Sequence, residues 1–286
     1  MSTQQVSELE LREVRGPAAL GGGWKRFFDL VYLMSVTEFK RTYFGTALGY
    51  LWSICRPLLL FVVLLEVFTH IFRLGSTVPH YAVLLLFNIV LFGFFQGGTG
   101  ASVSSIVAQE GIVRKTQFPR LAIPLAVIVT GLFDLALNLI VVFGFILIWP
   151  PGVTPMWTWL LLPVVIALLF GFTLGLSMIL SSLYPRFRDI GIIWTVVATA
   201  LFYATPVLYP LEKVSGRLRD LIAINPITPI LGVARKWIID PHAPGPGSAA
   251  AGGPTRLLIA AVIYVVICVL GVWIFNREAP RIAEEL

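Results

Sequence analysis

Six long apolar segments constrain the fold of this 286-residue chain more than any other feature of its sequence. Five of them carry one charged residue or none, and the sixth carries Arg56 and Glu66. Their positions are 51–72, 81–107, 121–149, 157–184, 190–209 and 257–275. About 20 apolar residues are enough for a helix to cross the hydrocarbon core of a bilayer. We therefore expect an all-α integral membrane protein with six transmembrane helices.

The composition excludes the main soluble classes. Hydrophobic residues make up 57% of the chain and charged residues 13%, against roughly 25% charged in soluble domains. Cys55 and Cys268 lie in or at the edge of predicted spans, so we expect small apolar packing residues and no disulfide framework. Residues 1–23 are polar and charged without an apolar signal region, which predicts a cytoplasmic tail rather than a removable signal peptide.

The basic residues predict the orientation in the membrane. If both ends are cytoplasmic, the short inner loops 109–120 and 184–189 hold five Lys or Arg, whereas the short outer loops hold only Arg73. Lys and Arg accumulate in short cytoplasmic loops. We therefore expect a multi-pass plasma-membrane protein with both tails, 1–23 and 277–286, in the cytoplasm. The net charge of +6 then reflects orientation, and no nucleic-acid partner is expected.

The segment 24–44 precedes the first span and is too polar at its ends to cross a bilayer. Aromatic residues and flanking cations are typical of an amphipathic helix lying among the lipid headgroups. An ordinary cytoplasmic helix is the alternative. The residues that indicate an interfacial position are Trp24, Lys25, Arg26, Lys40 and Arg41.

The long loop 210–256 contains an apolar stretch, 221–234, that is too short to span. This stretch is interrupted at Asn225-Pro226 and at Pro229, because proline breaks regular helix. Broken apolar backbone of this kind is tolerated at a membrane where it is buried against protein. We therefore expect short re-entrant or interfacial helices on the outer side.

Ionisable residues inside predicted spans are functional candidates, because they are costly there. Glu66, His70 and Arg73 are four and three residues apart and share one helix face, which suggests a polar latch at the outer end. Alternatively, His70 and Arg73 only reach outward to water. Asp134 falls near the middle of the third span. Arg56 lies one to two helical turns into the first span, counted from its cytoplasmic end. Its guanidinium would either bind a phosphate or extend to the lipid headgroups.

The inner loop QEGIVRKTQFPR, residues 109–120, has the composition of a protein docking site: basic, with one aromatic and a closing proline. The loop 184–189 has the same basic and aromatic character. Short cationic inner loops occur in many multi-span proteins, so composition alone leaves that alternative open. The docking candidates are Gln109, Glu110, Arg114, Lys115, Phe118, Pro119 and Arg120.

Enzyme signatures are missing from the sequence. No segment matches G-x-x-x-x-G-K-[ST], the loop that cradles nucleotide phosphates, and no His, Cys or Asp cluster has metal-ligand spacing. We therefore expect a chain that is not an enzyme and has no cofactor of its own. No internal repeat stands out, which weighs against an ATPase-independent secondary transporter without excluding it.

Four ordered sequence blocks resemble one family. They are EFKRTYFG at 38–45 with LGYLW and RPL at 48–58; VRK, FPR and IPL between 113 and 125; RFRDI at 186–190; and TPVLYP at 205–210 followed by NPITP at 225–229. In this order they resemble the ABC-2-type permeases that export polysaccharides. The blocks cover about two thirds of the chain, from 38 to 229.

The resemblance implies a six-helix half-transporter that pairs with a second copy of itself. Two copies of a separate ATPase subunit would bind ATP and Mg and drive the transport. By position, 24–44 would be the interface helix, 109–120 the coupling loop and 210–256 the outer gate region, within a transmembrane domain at 51–276. The substrate would be a lipid-linked glycan, such as an O-antigen, teichoic acid, capsule or galactan, crossing a bacterial inner or plasma membrane.

A sugar chain presents hydroxyls and flat C–H faces, which suit a conduit lined by aromatic side chains. For any single aromatic, contact with lipid is the alternative. The conduit candidates are Trp52, Arg56, Phe61, Phe68, Trp194, Phe202 and Tyr203. Within the same family, export of a small molecule or lipid is the alternative function.

Overall fold

The computed structural model describes residues 23–44, 49–111, 119–148 and 152–285, and throughout these ranges the regular structure is helical. This confirms the all-α prediction. The longer helices are α1 (Gly23–Tyr43), α2 (Leu51–Glu66), α3 (Tyr81–Val103), α4 (Ala122–Ile148), α5 (Leu162–Leu183), α6 (Ile190–Ala204), α7 (Gly216–Ala223), α8 (Ile227–Ile238) and α9 (Gly253–Glu285).

In the described part of the chain, five helices are long and apolar enough to cross a membrane. They are Leu51–Ile71, Tyr81–Val103, Ala122–Ile148, Trp157–Leu183 and Gly253–Glu278. The first includes α2 and a π-helical continuation, and the fourth includes a 3₁₀ turn before α5. Together with the composition, these helices identify a multi-pass membrane protein.

The predicted span 190–209 is helical only over its first 15 residues, which form α6. At 1.5 Å per residue, α6 is about 22 Å long and shorter than the hydrocarbon core. The helix ends because Thr205 is extended and precedes Pro206, which disfavours helical backbone at the residue before it. The next residues pack against α3, where Asn88 donates its amide to the carbonyls of Pro206 and Val207, 3.2 Å away in each case. The six-span count therefore stays a prediction.

Helix α3 lies at the centre of the bundle. Most of its side chains are buried, including the fully enclosed rings of Phe87, Phe92 and Phe95. It packs against α2, α4, α5 and α6, while α5 packs against α9 and α1 lies along α4. Two of the long helices, α2 and α9, bury few of their side chains.

Two glycines allow α5 and α9 to approach each other closely. A Cβ atom on Gly271 would lie 2.3 Å from the carbonyl oxygen of Gly175, a distance that no real Cβ contact adopts. A Cβ atom on Gly175 would lie 2.9 Å from the backbone of Cys268. Small residues at such positions are the usual means of bringing membrane helices into close contact, because lipid provides no hydrophobic drive between them.

Candidate functional site

Helix α1 uses one face to attach to α4. Phe27, Val31 and Ser35 recur every four residues and are buried, and they pack against Ala122 and Ala126 in the first turns of α4. The Ser35 hydroxyl lies 2.9 Å from the carbonyl oxygen of Ala126. The N-terminal segment is therefore fixed to the bundle and does not depend on lipid alone for its helical structure.

The other face of α1 carries an exposed aromatic stripe. Trp24, Phe28 and Tyr32 follow the same four-residue spacing and are 74%, 57% and 63% exposed. Exposed rings next to cations are typical of helices at a membrane surface. The cations that were predicted to lie at the membrane interface are all exposed on this helix: Lys25, Arg26, Lys40 and Arg41.

The end of α1, the start of α2 and the middle of α4 meet in a polar and aromatic junction. The Tyr43 phenol donates a 2.7 Å hydrogen bond to the Asp134 carboxylate. One turn farther along α4, the Asn138 amide donates to the carbonyl of Ser53 at 3.2 Å. The ring of Phe39 stacks on Tyr50 with 5.2 Å between centroids. Asp134 is thus a partner in a helix junction, a role that its position in the sequence does not reveal.

The electrostatics of this junction keep Tyr43 protonated. Burial raises the pKa of the Tyr43 phenol, and its contact with the Asp134 carboxylate raises that pKa further. A hydrogen bond with Ser53 and the positive charge of Arg56 lower the pKa of Tyr43, but more weakly. Tyr43 therefore remains a hydrogen-bond donor throughout the physiological pH range.

The two ends of the predicted coupling loop 109–120 emerge from one apolar cluster. Ile106, just before the loop, and Ile123, just after it, are fully buried with Met178 of α5 and Phe275 of α9. Pro119 and Arg120 lie just before α4, and their carbonyls accept hydrogen bonds from the N–H groups of Ala122 and Ile123. Gln109 and Glu110 follow a short helix, Ser105–Ala108, that comes after α3. The predicted docking residues Arg114, Lys115 and Phe118 lie outside the described residues.

The loop between α5 and α6, predicted to lie on the inner side, is compact and basic. The Arg186 guanidinium lies 5.4 Å from the ring centre of Phe187, and that of Arg188 lies 5.1 Å from Tyr184. The backbone N–H of Phe187 donates to Leu183 at 2.9 Å, so the loop is a direct continuation of α5. Phe187 is 54% exposed and offers an aromatic surface beside two cations.

The region predicted to lie on the outer side, 210–256, contains a buried arginine that the sequence analysis missed. Arg235 in α8 is 8% exposed, and its guanidinium lies 2.6 Å from the Glu212 carboxylate and 3.9 Å from that of Asp240. The sequence spacing within α8 indicates that Arg235 is buried, because Arg235 falls on the same helix face as the buried residues Leu231 and Ile238. A second ion pair, 3.0 Å between Arg256 and Asp220, joins α9 to α7.

The predicted gate residues lie where α7 ends and α8 begins. The apolar stretch breaks at Asn225-Pro226, as expected, whereas Pro229 falls in the first turn of α8, where proline is tolerated. The Asn225 amide donates to the Thr205 hydroxyl at 2.8 Å, and its carbonyl oxygen accepts from the N–H of Ile227. This break is therefore attached directly to the C-terminal end of α6.

Glu66 and His70, both predicted latch residues, are in contact with each other. A nitrogen of His70 lies 3.1 Å from a carboxylate oxygen of Glu66, and both side chains are about 70% exposed. Arg73 follows the π-helical turn, is exposed, and has a left-handed backbone with φ of 55°. The structure therefore places the Glu66–His70 pair on the exposed surface at the end of the first long helix.

The conduit candidates divide into exposed and buried groups. Trp52, Arg56 and Tyr203 are exposed, whereas Phe68 is half-buried and stacks on Phe72. The buried candidates contact neighbouring helices: Phe61 packs on Phe145, the Trp194 indole N–H donates to Thr99 at 3.1 Å, and Phe202 packs on Phe92. In the single chain, these buried rings attach α2 to α4 and α6 to α3.

Comparison with known proteins gives consistent matches. The family profile described as ABC-2 type transporter matches residues 29–238. The O-antigen export system permease protein RfbA of Klebsiella pneumoniae is 29% identical over 265 residues, which are 91% of this chain and 95% of the relative. The protein of the same name from Myxococcus xanthus is 33% identical, over 68% of this chain and 74% of its own. The polysialic acid transport protein KpsM of Escherichia coli is 22% identical over 70% of this chain and 77% of its own.

Proposed function

The chain belongs to the ABC-2 type transporter family, and from that premise we propose that it is the membrane permease of an ATP-driven exporter of a lipid-linked glycan. One observation carries the proposal: relatives named for O-antigen export align with nearly the whole chain, not with one segment of it. The long apolar helices of the bundle agree with a permease role. The glycan would be of the O-antigen, teichoic-acid, capsule or galactan type.

Energy for export has to come from another subunit. The sequence has no loop of the type that cradles nucleotide phosphates. We expect two copies of an ATPase subunit, which bind ATP and Mg, to join two copies of this chain. The loop 109–120 suits the contact with that subunit, because its two ends leave the same buried cluster at Ile106 and Ile123 and so move together.

Helix α1 suits the inner surface of the membrane. Its exposed stripe of Trp24, Phe28 and Tyr32 offers rings to the headgroups, while its other face is attached to α4. An interfacial helix attached in this way links the membrane surface to the bundle. The inner loops are strongly basic, so we propose cytoplasmic termini in a bacterial inner or plasma membrane.

We expect a second copy of the chain to pack against the exposed faces of α2 and α6. Both helices are apolar and present contiguous exposed side chains, among them Leu59 and Val63 in α2 and Ile193 and Val197 in α6. Trp52, Arg56 and Tyr203 lie on these exposed helices, so a conduit formed between two copies would place them at its wall.

The outer gate would consist of α7 and α8. The Asn225–Thr205 hydrogen bond attaches these helices to α6, and Arg256–Asp220 attaches them to α9. With α6 and residues 205–209 reaching the outer surface together, the chain crosses the membrane six times, and α7 and α8 form the re-entrant or interfacial elements. Movement of α6 would then move the gate.

The test is purification of the tagged chain from its native membrane, followed by reconstitution with whatever ATPase accompanies it. We expect an ATPase subunit in equal number and glycan movement into vesicles that requires ATP. The chain alone should move no glycan. Transport at full rate without nucleotide would contradict the proposal, and ATP-dependent transport of a small molecule or lipid in place of a glycan would replace the substrate.

A further inference from the structure

Arg56 is a charged residue in an unusual place. It occupies the second turn of a membrane-spanning helix, α2, and its side chain is exposed in the single chain. Among the described residues, no carboxylate forms an ion pair with it. The acid of the adjoining junction, Asp134, already accepts a hydrogen bond from Tyr43. A guanidinium in a spanning helix is costly without a partner, so a partner outside this chain is expected.

The side chain of Arg56 is long enough to reach the lipid phosphates. Trp52 lies one helical turn before it, about 6 Å along the axis, on the same exposed side of α2. Tryptophan favours the boundary between headgroups and acyl chains. The arginine stem then spans the apolar zone, and the guanidinium reaches the zone of phosphates. Its planar array of N–H donors matches two phosphate oxygens at once.

A carboxylate on α2 of a second copy is a poor alternative partner, and the competing acid that a second copy would present through the α6 face is the exposed Asp189. Under the proposed function, two copies are related by a two-fold axis perpendicular to the membrane, so equivalent residues lie at equal depth. The exposed side of α2 beyond Arg56 is apolar at Leu59, Leu60 and Val63. The next acid along α2 is Glu66, about 15 Å away toward the other end. Paired α2 helices would bring two arginines together, and an anion between them would relieve their repulsion.

We propose that Arg56, with Trp52 beside it, binds a lipid-borne phosphate at the inner opening of the conduit and holds the phosphate end of the substrate carrier there. This inference rests on the proposed function. In this proposal Arg56 binds the phosphate of the lipid carrier. The aromatic side chains of the conduit contact the sugars.

The experiment measures binding of farnesyl diphosphate to the full chain in a phosphate-free maltoside detergent. Farnesol provides the same tail without phosphate, and inorganic diphosphate provides the phosphate without a tail. We expect Arg56→Gln to weaken farnesyl diphosphate binding at least tenfold, Arg56→Lys to weaken it less, and neither to change farnesol binding. Arg217→Gln, at an exposed arginine of α7, is the matched control and should bind as the original chain does.

A second measurement needs no variant. Farnesyl diphosphate should protect Arg56 of the original chain from phenylglyoxal modification, read by mass spectrometry, and farnesol should not. Competition with phosphatidylglycerol identifies the source of the phosphate: weak competition supports the substrate carrier, and equal competition assigns the site to bulk lipid and overturns the carrier role. Unchanged affinity in Arg56→Gln, or equal protection by farnesol, would overturn the phosphate site. ATP-dependent glycan export is measured in parallel. Loss of the phosphate site with export still observed would overturn only this inference, and absence of export would overturn the proposed function.

Discussion

The phenol of Tyr43 and the carboxylate of Asp134, separated by 91 residues in the chain, share a hydrogen bond of 2.7 Å. Tyr43 ends the helix with the exposed aromatic stripe, and Asp134 lies in the middle of α4, a membrane-spanning helix. Because Asn138, one turn away, bonds to the first turn of α2, this contact joins three helices at one point. A shift of α1 would therefore be transmitted to α2 and α4 together.

Tyr43→Phe should loosen this junction. The substitution keeps the ring but leaves the Asp134 carboxylate, which is partly buried, without its donor, a loss of about 1–3 kcal/mol. Denaturant unfolding in detergent measures the loss. Tyr32→Phe on the exposed side of the same helix is the control and should change stability little. In a double-mutant cycle, Asp134→Asn should reduce the effect of Tyr43→Phe, and independent effects would show that the two side chains are not coupled.

Gly271→Ala should disturb the contact between α5 and α9. The added Cβ would meet the Gly175 carbonyl at 2.3 Å, and because that atom belongs to the backbone, the two helices must separate. Overpacking of this kind costs about 1–3 kcal/mol. Gly144→Ala, in α4 with open space around the new methyl group, is the matched control and should be neutral or slightly stabilising. Thermal unfolding of the detergent-solubilised variants compares them, and equal midpoints would contradict the close approach.

Hydropathy predicts which segments of this chain are helical but not which faces they bury. Trp52 and Trp194 both lie in apolar segments, yet Trp52 is 47% exposed and Trp194 is 7% exposed. The sequence cannot separate them, because lipid-facing and protein-facing positions are both apolar in a membrane helix. The same limit applies to α2 and α3, which are similarly apolar although only α3 is enclosed.

Proline predicts one helix break correctly and another wrongly: the chain breaks at Asn225-Pro226, but α8 continues through Pro229, which lies in its first turn. The predicted span 190–209 missed the end of α6 at Thr205, although the rule for the residue before proline indicates it. The pairing of Arg235 with Glu212 could not be derived, because it depends on how a 3₁₀ turn packs on α8. Amphipathic spacing within α8 indicates only that Arg235 is buried.

Arg235→Gln should destabilise the outer region more than Glu212→Gln. Without the arginine, the acids Glu212 and Asp240 lose their common partner, whereas without Glu212 the Arg235–Asp240 pair remains. We expect a loss of about 1–3 kcal/mol for Arg235→Gln, below the range for fully enclosed pairs because Glu212 keeps some contact with water. Hydrogen exchange over residues 211–240 measures it. Arg217→Gln is the control, and equal exchange in the Glu212 and Arg235 variants would contradict this order.

Glu66→Gln tests the outer latch separately from stability. The Glu66–His70 contact is exposed, and even a fully charged exposed pair contributes only about 0–1 kcal/mol, so the unfolding midpoint should not change. If the pair closes the outer end of the conduit, vesicles containing the variant should leak ions faster without ATP. Thr77→Ala in the adjacent exposed turn is the control. Normal leak together with normal export would make Glu66 a residue without a gating role.

Replacing Phe118 and Arg120 together with Ala should uncouple ATP hydrolysis from export. The loop 109–120 is the longer of the two basic inner loops, and its ends leave one buried cluster through Ile106 and Ile123, so a force on the loop reaches α3 and α4 at once. Without the aromatic and cationic contacts, the ATPase should still turn over but should move little glycan. The composition-matched control is Arg186→Ala with Phe187→Ala, in the compact loop that continues from α5. Equal uncoupling by both pairs, measured as glycan exported per ATP hydrolysed, would show that docking is not specific to the first loop.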